Sequence, residues 1–429
     1  MVIDEESCVT PTPRLFLHFL PILLQCSLLY PGLSPQPLIR WIRILLLPLN
    51  LYVCYSAVKR YCWRPLDDAS GSNLLLSSQA MHHAFRSIEW AASKGPYFTH
   101  RFAWPDPVAS NSEGKDKNDD QNSSPQRRPL RLWSWFTWSL LAYTSHRGSH
   151  FTWGLHSEPW SQIAVPTFFD LIRRLLIIHA LFVPSLAYAI LDRDRGVGWW
   201  APNHSILTGL LSNLTFGITI MGSMELYYIV FSLIARGLHA LPLNWPAWSA
   251  YWSPQAFAPN LFKQPHRARS MAEFWGRGWH AMFRWPFLVT GQLIVKPFTA
   301  LGMLSGRGKR IAILFATFFC SGLYHDFAMW GIAYSPSHPN PFKPSLTSFI
   351  HTPMAYFTMQ PIAILIEPFF LPHLSPFFQT IWVYTFTLIS VTGFRKSFFG
   401  KGRMISGPPS IEEWGWREAG IPAYLLTHL

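Results

Sequence analysis

Charge is what this sequence lacks most. Asp, Glu, Lys and Arg together make up 13% of its 429 residues, where soluble domains carry about a quarter. That deficit argues against two or three water-soluble domains, which the length alone would allow. Cysteine is scarce as well. Cys8, Cys26, Cys54, Cys62 and Cys320 show no paired metal-ligand spacing, and most lie in or beside apolar runs, so neither a zinc site nor a disulfide framework is expected. No internal repeat is visible, whereas transport folds often carry paired repeats with matching broken helices. Paired Asp-rich motifs for magnesium diphosphate are missing too. Asp67-Asp68, Asp119-Asp120 and Asp192/Asp194 lie in polar or terminal segments without that spacing, which sets a membrane prenyltransferase aside. A basic leader is replaced by Asp4, Glu5 and Glu6, and no small-residue cleavage site follows Tyr30. The first apolar run is therefore expected to be retained.

Hydrophobic residues, by contrast, reach 49% and gather in long runs. A helix needs roughly 18 to 20 apolar residues to cross a ~30 Å hydrocarbon layer. Window reading picks out Leu15–Tyr30, Leu38–Val58, Pro166–Leu191, Ile206–Ala235, Arg310–Tyr334, Leu346–Leu371 and Phe377–Val391. Arg284–Leu304 is apolar but holds Pro286, Gly291, Gln292, Lys296 and Pro297, which suits a kinked or re-entrant element inside protein. The expectation is an all-α, polytopic integral membrane protein with about eight spans plus interfacial helices.

The net charge of +13 is not organised as a patch with base-reading aromatics, so no nucleic acid partner is expected. Lys59/Arg60/Arg64, Arg127/Arg128/Arg131, Lys263/Arg267/Arg269 and Arg307/Lys309/Arg310 sit at span ends and point to cytoplasmic ends under the positive-inside rule. Arg395, Lys396, Lys401 and Arg403 also favour the cytoplasm, yet simple alternation after Arg310 puts them opposite. The organisation reads as N-terminal transmembrane helices over 1–58, a polar loop over 59–165 and a transmembrane catalytic region over 166–429. Within the loop, Ser110–Arg128 has almost no apolar residue and reads as a disordered insertion. Trp133, Trp135, Trp138 and Trp153 predict a helix along the membrane surface. Asn122, Asn203 and Asn213 begin Asn-x-Ser/Thr sequons.

The sharpest chemical feature is His325 with Asp326 inside an otherwise apolar helix. Ionisable residues there are functional candidates by default. His325 lies about 22 Å along that helix from Arg310 at 1.5 Å per residue, so its ring needs a protein-lined cavity. A neutral imidazole can take a proton from an alcohol attacking a carbonyl, with Ser321 one turn earlier placed to orient it and Cys320 pointing away. A helix-bridging histidine is the bland alternative, and a transporter using the buried His and Asp for proton or ligand coupling is the competing function. The segment RSMAEFWGRGWHAMFRWPF reads as an amphipathic surface helix with Trp275 and Trp279 on one face. Asp170 with Arg173 and Arg174 reads as local helical pairing near a span end. Glu225 is a cavity-lining candidate, and Glu367, just before Pro368, reads as interfacial.

Two blocks carry a family resemblance. Glu273-Phe274-Trp275-Gly276-Arg277-Gly278-Trp279-His280 resembles the FW-G-R-x-W-H block, and Ser321-Gly322-Leu323-Tyr324-His325-Asp326 resembles the S-G-x-x-H-[ED] block, of the wax-synthase-like branch of membrane-bound O-acyltransferases. The similarity is to the fungal acetyltransferases that decorate terpenoids and related secondary metabolites. It covers roughly Arg269 onward, with a faint echo at Arg147–Trp153. It implies transfer of an acyl group, acetyl in this branch, from acyl-CoA as co-substrate to the hydroxyl of a lipophilic alcohol, with no permanently bound cofactor and no metal. His325 would be the catalytic base, His280 and Asp326 its catalytic partners, and Trp275, Arg277 and Trp279 the donor-side residues. Ser321 and Glu225 would line the substrate cavity. The expected location is the lipid bilayer of the endoplasmic reticulum. Gly278 stands where a second basic residue is often found, and Asp326 where Glu is frequent.

Overall fold

The computed structural model describes residues 9–34, 36–63, 70–95, 97, 132–145, 148, 151, 164–195, 206–241, 252–257, 261–280, 282–332 and 352–399. The insertion Ser110–Arg128, Trp153 and the sequons at Asn122 and Asn203 lie outside them. Twelve helices are named here: α1 Arg14–His18, α2 Leu20–Ser27, α3 Pro37–Arg60, α4 Ser70–Ala92, α5 Leu132–Thr144, α6 Phe168–Arg195, α7 Ile206–His239, α8 Arg284–Ala300, α9 Gly306–Ile332, α10 Pro353–Phe370, α11 Pro376–Ser390 and α12 Thr392–Phe399. Among the described residues no strand forms, and a single bridge pairs Val9 with Tyr61. The all-α, membrane-embedded class is as expected.

Among the described residues, six helices are long and apolar enough to cross a membrane: Pro37–Arg60, Phe168–Tyr188, Ile206–His239, Gly306–Met329, Pro353–His373 and Pro376–Arg395. These follow six of the seven clear runs in the sequence. The first run does not form a span. It breaks at Phe19–Leu20, ahead of Pro21, into the short α1 and α2, as expected where proline disfavours helical backbone before it. Gln25, fully buried, then bonds the carbonyls of Arg43 and Ser87, so this segment folds against α3 and α4. Arg284–Leu304 forms one helix, α8, with Pro297 inside it. A second irregular element lies in residues 262–280.

The interval 59–165 contains a long helix that polarity concealed. α4 packs against both α3 and α9. Its Ser77 hydroxyl donates to the Ala328 carbonyl at 2.8 Å, and the Arg86–Glu89 pair is buried with Trp285 Nε1 donating to Glu89 at 3.0 Å. Polar side chains that satisfy one another inside the bundle leave no apolar run for a hydropathy window to find. α5 likewise belongs partly to the core. Trp138 is 2% exposed and Trp135 Nε1 donates to the Ser27 carbonyl, while Trp133 stays exposed. Cys26, Cys54 and Cys320 are free and buried. Cys62 is disulfide-bonded, which the spacing did not predict.

Helix contacts in this bundle rest on small residues, as is common where lipid offers no hydrophobic drive for association. A Cβ on Gly291 of α8 would lie 2.9 Å from the Thr317 backbone nitrogen, and one on Gly322 of α9 would lie 2.8 Å from Met354 Cα. α9 is thus held close between α8 and α10. Asn213 of α7 is buried, and its amide bonds the Leu388 carbonyl, Thr392 and Arg395. That sequon is a packing site. Arg395, 2% exposed, is a core residue as well, so it does not weigh in the count of charges flanking the spans.

Candidate active site

His325 occupies the face of α9 that meets α10 and α12. Its Nδ1 sits 2.7 Å from the Ser321 carbonyl oxygen. A carbonyl only accepts, so Nδ1 carries the proton and the neutral ring presents Nε2 as a proton acceptor. The expected contribution of Ser321 is made by its backbone, not its hydroxyl. Phe357 of α10 stacks on the imidazole, with centroids 4.4 Å apart and planes 26° off parallel. Phe394 of α12 and Tyr324 meet it edge-on at 5.5 and 5.2 Å. The ring is partly buried and faces aromatic side chains of neighbouring helices.

Asp326 meets the start of the same helix, α10. Its Oδ1 accepts the Met354 backbone N–H at 3.2 Å, and Thr352 Oγ1 accepts that of Ala355 at 3.3 Å. Together they satisfy donors in the first turn of α10, where helical backbone has no partner of its own. The adjacent pair therefore divides its work. His325 faces the aromatic cluster, and Asp326 fixes the helix that supplies Phe357.

The tryptophan-rich block is not the surface helix that its periodicity suggests. Ser270 caps a single turn, Met271–Glu273, with its hydroxyl accepting the Glu273 N–H at 2.9 Å. A π turn, Phe274–Gly278, follows, and Trp279 is extended. The extra residue in this turn replaces the regular helical ladder. Trp275 and Trp279 still meet, at 5.7 Å. Trp275 packs on Phe318, near the middle of α9, and on Phe357, while its Nε1 donates to Gln360 at 3.1 Å. The block thus dips among the spans.

His280 and His325 line one aromatic cluster without touching. Phe283 lies 5.8 Å from His280 and 4.7 Å from Tyr324, which borders His325. His82 of α4 lies 5.2 Å from Phe283 on the same cluster, a neighbour that sequence reading missed. Arg277, Lys263, Arg267 and Arg269 are exposed. Gly278 has no room for the basic residue often found there, because its Cβ would come within 3.0 Å of Pro265 Cα.

Residues 258–362 match the membrane bound O-acyl transferase family. That stretch encloses both sequence blocks together with Phe357 and Gln360, so the O-acyl transferase signature coincides with the aromatic cluster. The chain is also 28% identical over 214 residues to the acetyltransferase spyB of Aspergillus fumigatus, an alignment covering 47% of this chain and 33% of that relative. The chain therefore spans about a third of the length of this curated relative.

Other expected site residues serve as anchors. Glu225 Oε2 pairs with Arg174 Nη2 at 2.8 Å and Oε1 accepts the Phe262 N–H at 3.1 Å. Arg174 thus reaches across to α7, whereas Asp170 caps its own helix through Thr167. Glu367 is enclosed by protein. It is 3% exposed and accepts from the Met271 N–H and Trp382 Nε1. A carboxylate in an apolar run was the available signal, and the adjacent Pro368 diverted it. Phe357 and Phe394 gave none, since one phenylalanine in a span resembles another. Among the described residues no group of His, Cys, Asp and Glu could hold a metal ion.

Proposed function

We propose that this protein is an O-acyltransferase that moves an acyl group, acetyl in the first instance, from acyl-CoA to a hydroxyl of a lipophilic alcohol of the terpenoid type. The observation that carries the reading is the hydrogen bond from His325 Nδ1 to the Ser321 carbonyl, which leaves Nε2 as base in an aromatic surround. Nε2 takes the alcohol proton as the alcohol oxygen bonds to the thioester carbonyl carbon. The carbon–sulfur bond then breaks, and the departing CoA thiolate takes the proton back from the imidazolium. The products are an ester and free CoA. General base assistance of this kind contributes about 10²–10⁴-fold.

The ring cluster of Phe283, Tyr324, Phe357 and Phe394 offers apolar, flat surfaces suited to a polycyclic acceptor arriving from the bilayer. Lys263, Arg267, Arg269 and Arg277, exposed beside the dipping block, favour the anionic CoA. The family match and the acetyltransferase relative support the reaction class. The decisive experiment supplies microsomes containing the protein with labelled acetyl-CoA and hydroxylated terpenoids. Label enters the terpenoid with wild type and does not with His325→Ala at equal expression. Undiminished transfer by that variant rejects the mechanism.

A further inference from the structure

The block that carries Trp275 and His280 has irregular backbone, and such backbone among membrane spans must find partners within the protein. Regular structure supplies few of them. Between Phe262 and Met271 the chain passes through left-handed Gln264, at φ 50°, and a short turn at Pro265–Arg267. Two carboxylates from the spans take the donors at its two feet. Glu225 of α7 accepts Phe262 N–H, and Glu367 of α10 accepts Met271 N–H.

Each carboxylate is itself held by a second element. Arg174 of α6 binds Glu225, and Trp382 of α11 binds Glu367. Lys263 N–H donates to the Gly278 carbonyl at 3.0 Å, closing the intervening chain into a loop. Buried carboxylates are costly inside a membrane bundle, and both of these engage the same segment. The path from one anchor to the chemistry is short. One turn after Met271, Trp275 packs on Phe357, and Phe357 stacks on His325.

We infer that Glu225 and Glu367 are positioning residues that clamp the dipping segment 261–280 against the spans and so set Phe357 and His325 for reaction. This rests on the acyltransferase reading for its catalytic consequence, but the clamp itself can be tested without turnover. The experiment is hydrogen exchange by mass spectrometry on the full chain in detergent, paired with acetyl transfer by the same preparations. Glu367→Leu and Glu225→Leu are expected to raise exchange across 261–280 while peptides from α3 and α4 stay protected. Their kcat/KM should fall about 10²-fold, the scale of an ångström-sized misplacement. Glu367→Gln keeps an oxygen acceptor and should restore both protection and most of the rate.

Exchange in 261–280 that is unchanged in both leucine variants overturns the clamp. So does exchange that rises equally in α3 and α4, or a Glu367→Gln variant as impaired as Glu367→Leu. Local exchange as expected, in a wild-type protein that transfers no acyl group, upholds the clamp and removes the acyltransferase reading instead.

Discussion

Phe357 lies nearly parallel to the His325 imidazole, 4.4 Å away. The contact joins α10 to α9 at a ring whose Nε2 is left as an acceptor. Stacked aromatic pairs contribute about 0.5–1.5 kcal/mol beyond burial, and here that energy restricts the plane in which Nε2 can point. Phe357→Leu should therefore lower kcat about fivefold with little change in the KM for the donor, while Phe357→Tyr stays close to wild type. Steady-state kinetics on membranes with matched protein levels would check this. A leucine variant with normal kcat would show that ring orientation does not limit the rate.

Asp326 presents a choice between acid–base chemistry and support. Its bond to the Met354 N–H favours support, and asparagine keeps that acceptor while removing the charge. Asp326→Asn should retain most activity, with an unaltered pH profile, and Asp326→Ala should lose about tenfold, as hydrogen bonds to charged groups are worth about 1.5–3 kcal/mol. Equal loss in both variants would instead make the carboxylate a participant in proton transfer.

Three glycines separate close packing from free space. A Cβ on Gly276 would have nothing within 4 Å, whereas one on Gly278 would meet Pro265 Cα at 3.0 Å and one on Gly322 would meet Met354 Cα at 2.8 Å. Gly276→Ala should be neutral. Gly322→Ala forces α9 and α10 apart, and overpacking of this kind costs about 1–3 kcal/mol, so a fall of several degrees in the unfolding temperature of the detergent-solubilised protein is expected. Gly278→Arg should lose activity despite restoring the family's more usual basic residue. Improved activity in that variant would contradict the packing seen at Pro265.

The spans and His325 were legible in the sequence because hydropathy and an ionisable group in an apolar run are both local signals. What stayed hidden was relational. α4 carries its polar residues inward, where Ser77, Arg86 and Glu89 find partners on other elements, so no window average reveals it as core. The block at Trp275 has helical spacing, yet its backbone forms a π turn, and Glu367 and Glu225 hold the chain ahead of it at Met271 and Phe262. The Cys62 disulfide was equally invisible, since no spacing of the five cysteines marks it.

That disulfide also bears on orientation. Trp63 bonds Asn73 at the start of α4 and Ser77 bonds Ala328 near the end of α9, so Cys62 lies on the side of the bundle where α9 ends. α9 begins on the opposite side, with Arg307, Lys309 and Arg310 exposed. Arg43 bonds the Trp90 carbonyl, placing exposed Arg40 and Lys94 on that same side. Among the described residues that these contacts place, Arg14, Lys59 and Arg60 go with Cys62 and are fewer. The positive-inside rule predicts a cytoplasmic Arg307 side, and the persistence of disulfides in oxidising compartments predicts Cys62 on the opposite side of the membrane. A membrane-impermeant maleimide added to sealed microsomes should then label Lys309→Cys without detergent. Background will be low because Cys26, Cys54 and Cys320 are buried. Cys62, 8% exposed, should react only once reductant and a denaturing detergent open the fold, with peptide mapping to separate it from the other cysteines. Labelling of Cys62 in sealed, reduced vesicles, with Lys309→Cys protected, would invert the orientation and place the basic face, with the donor approach drawn from it, in the lumen.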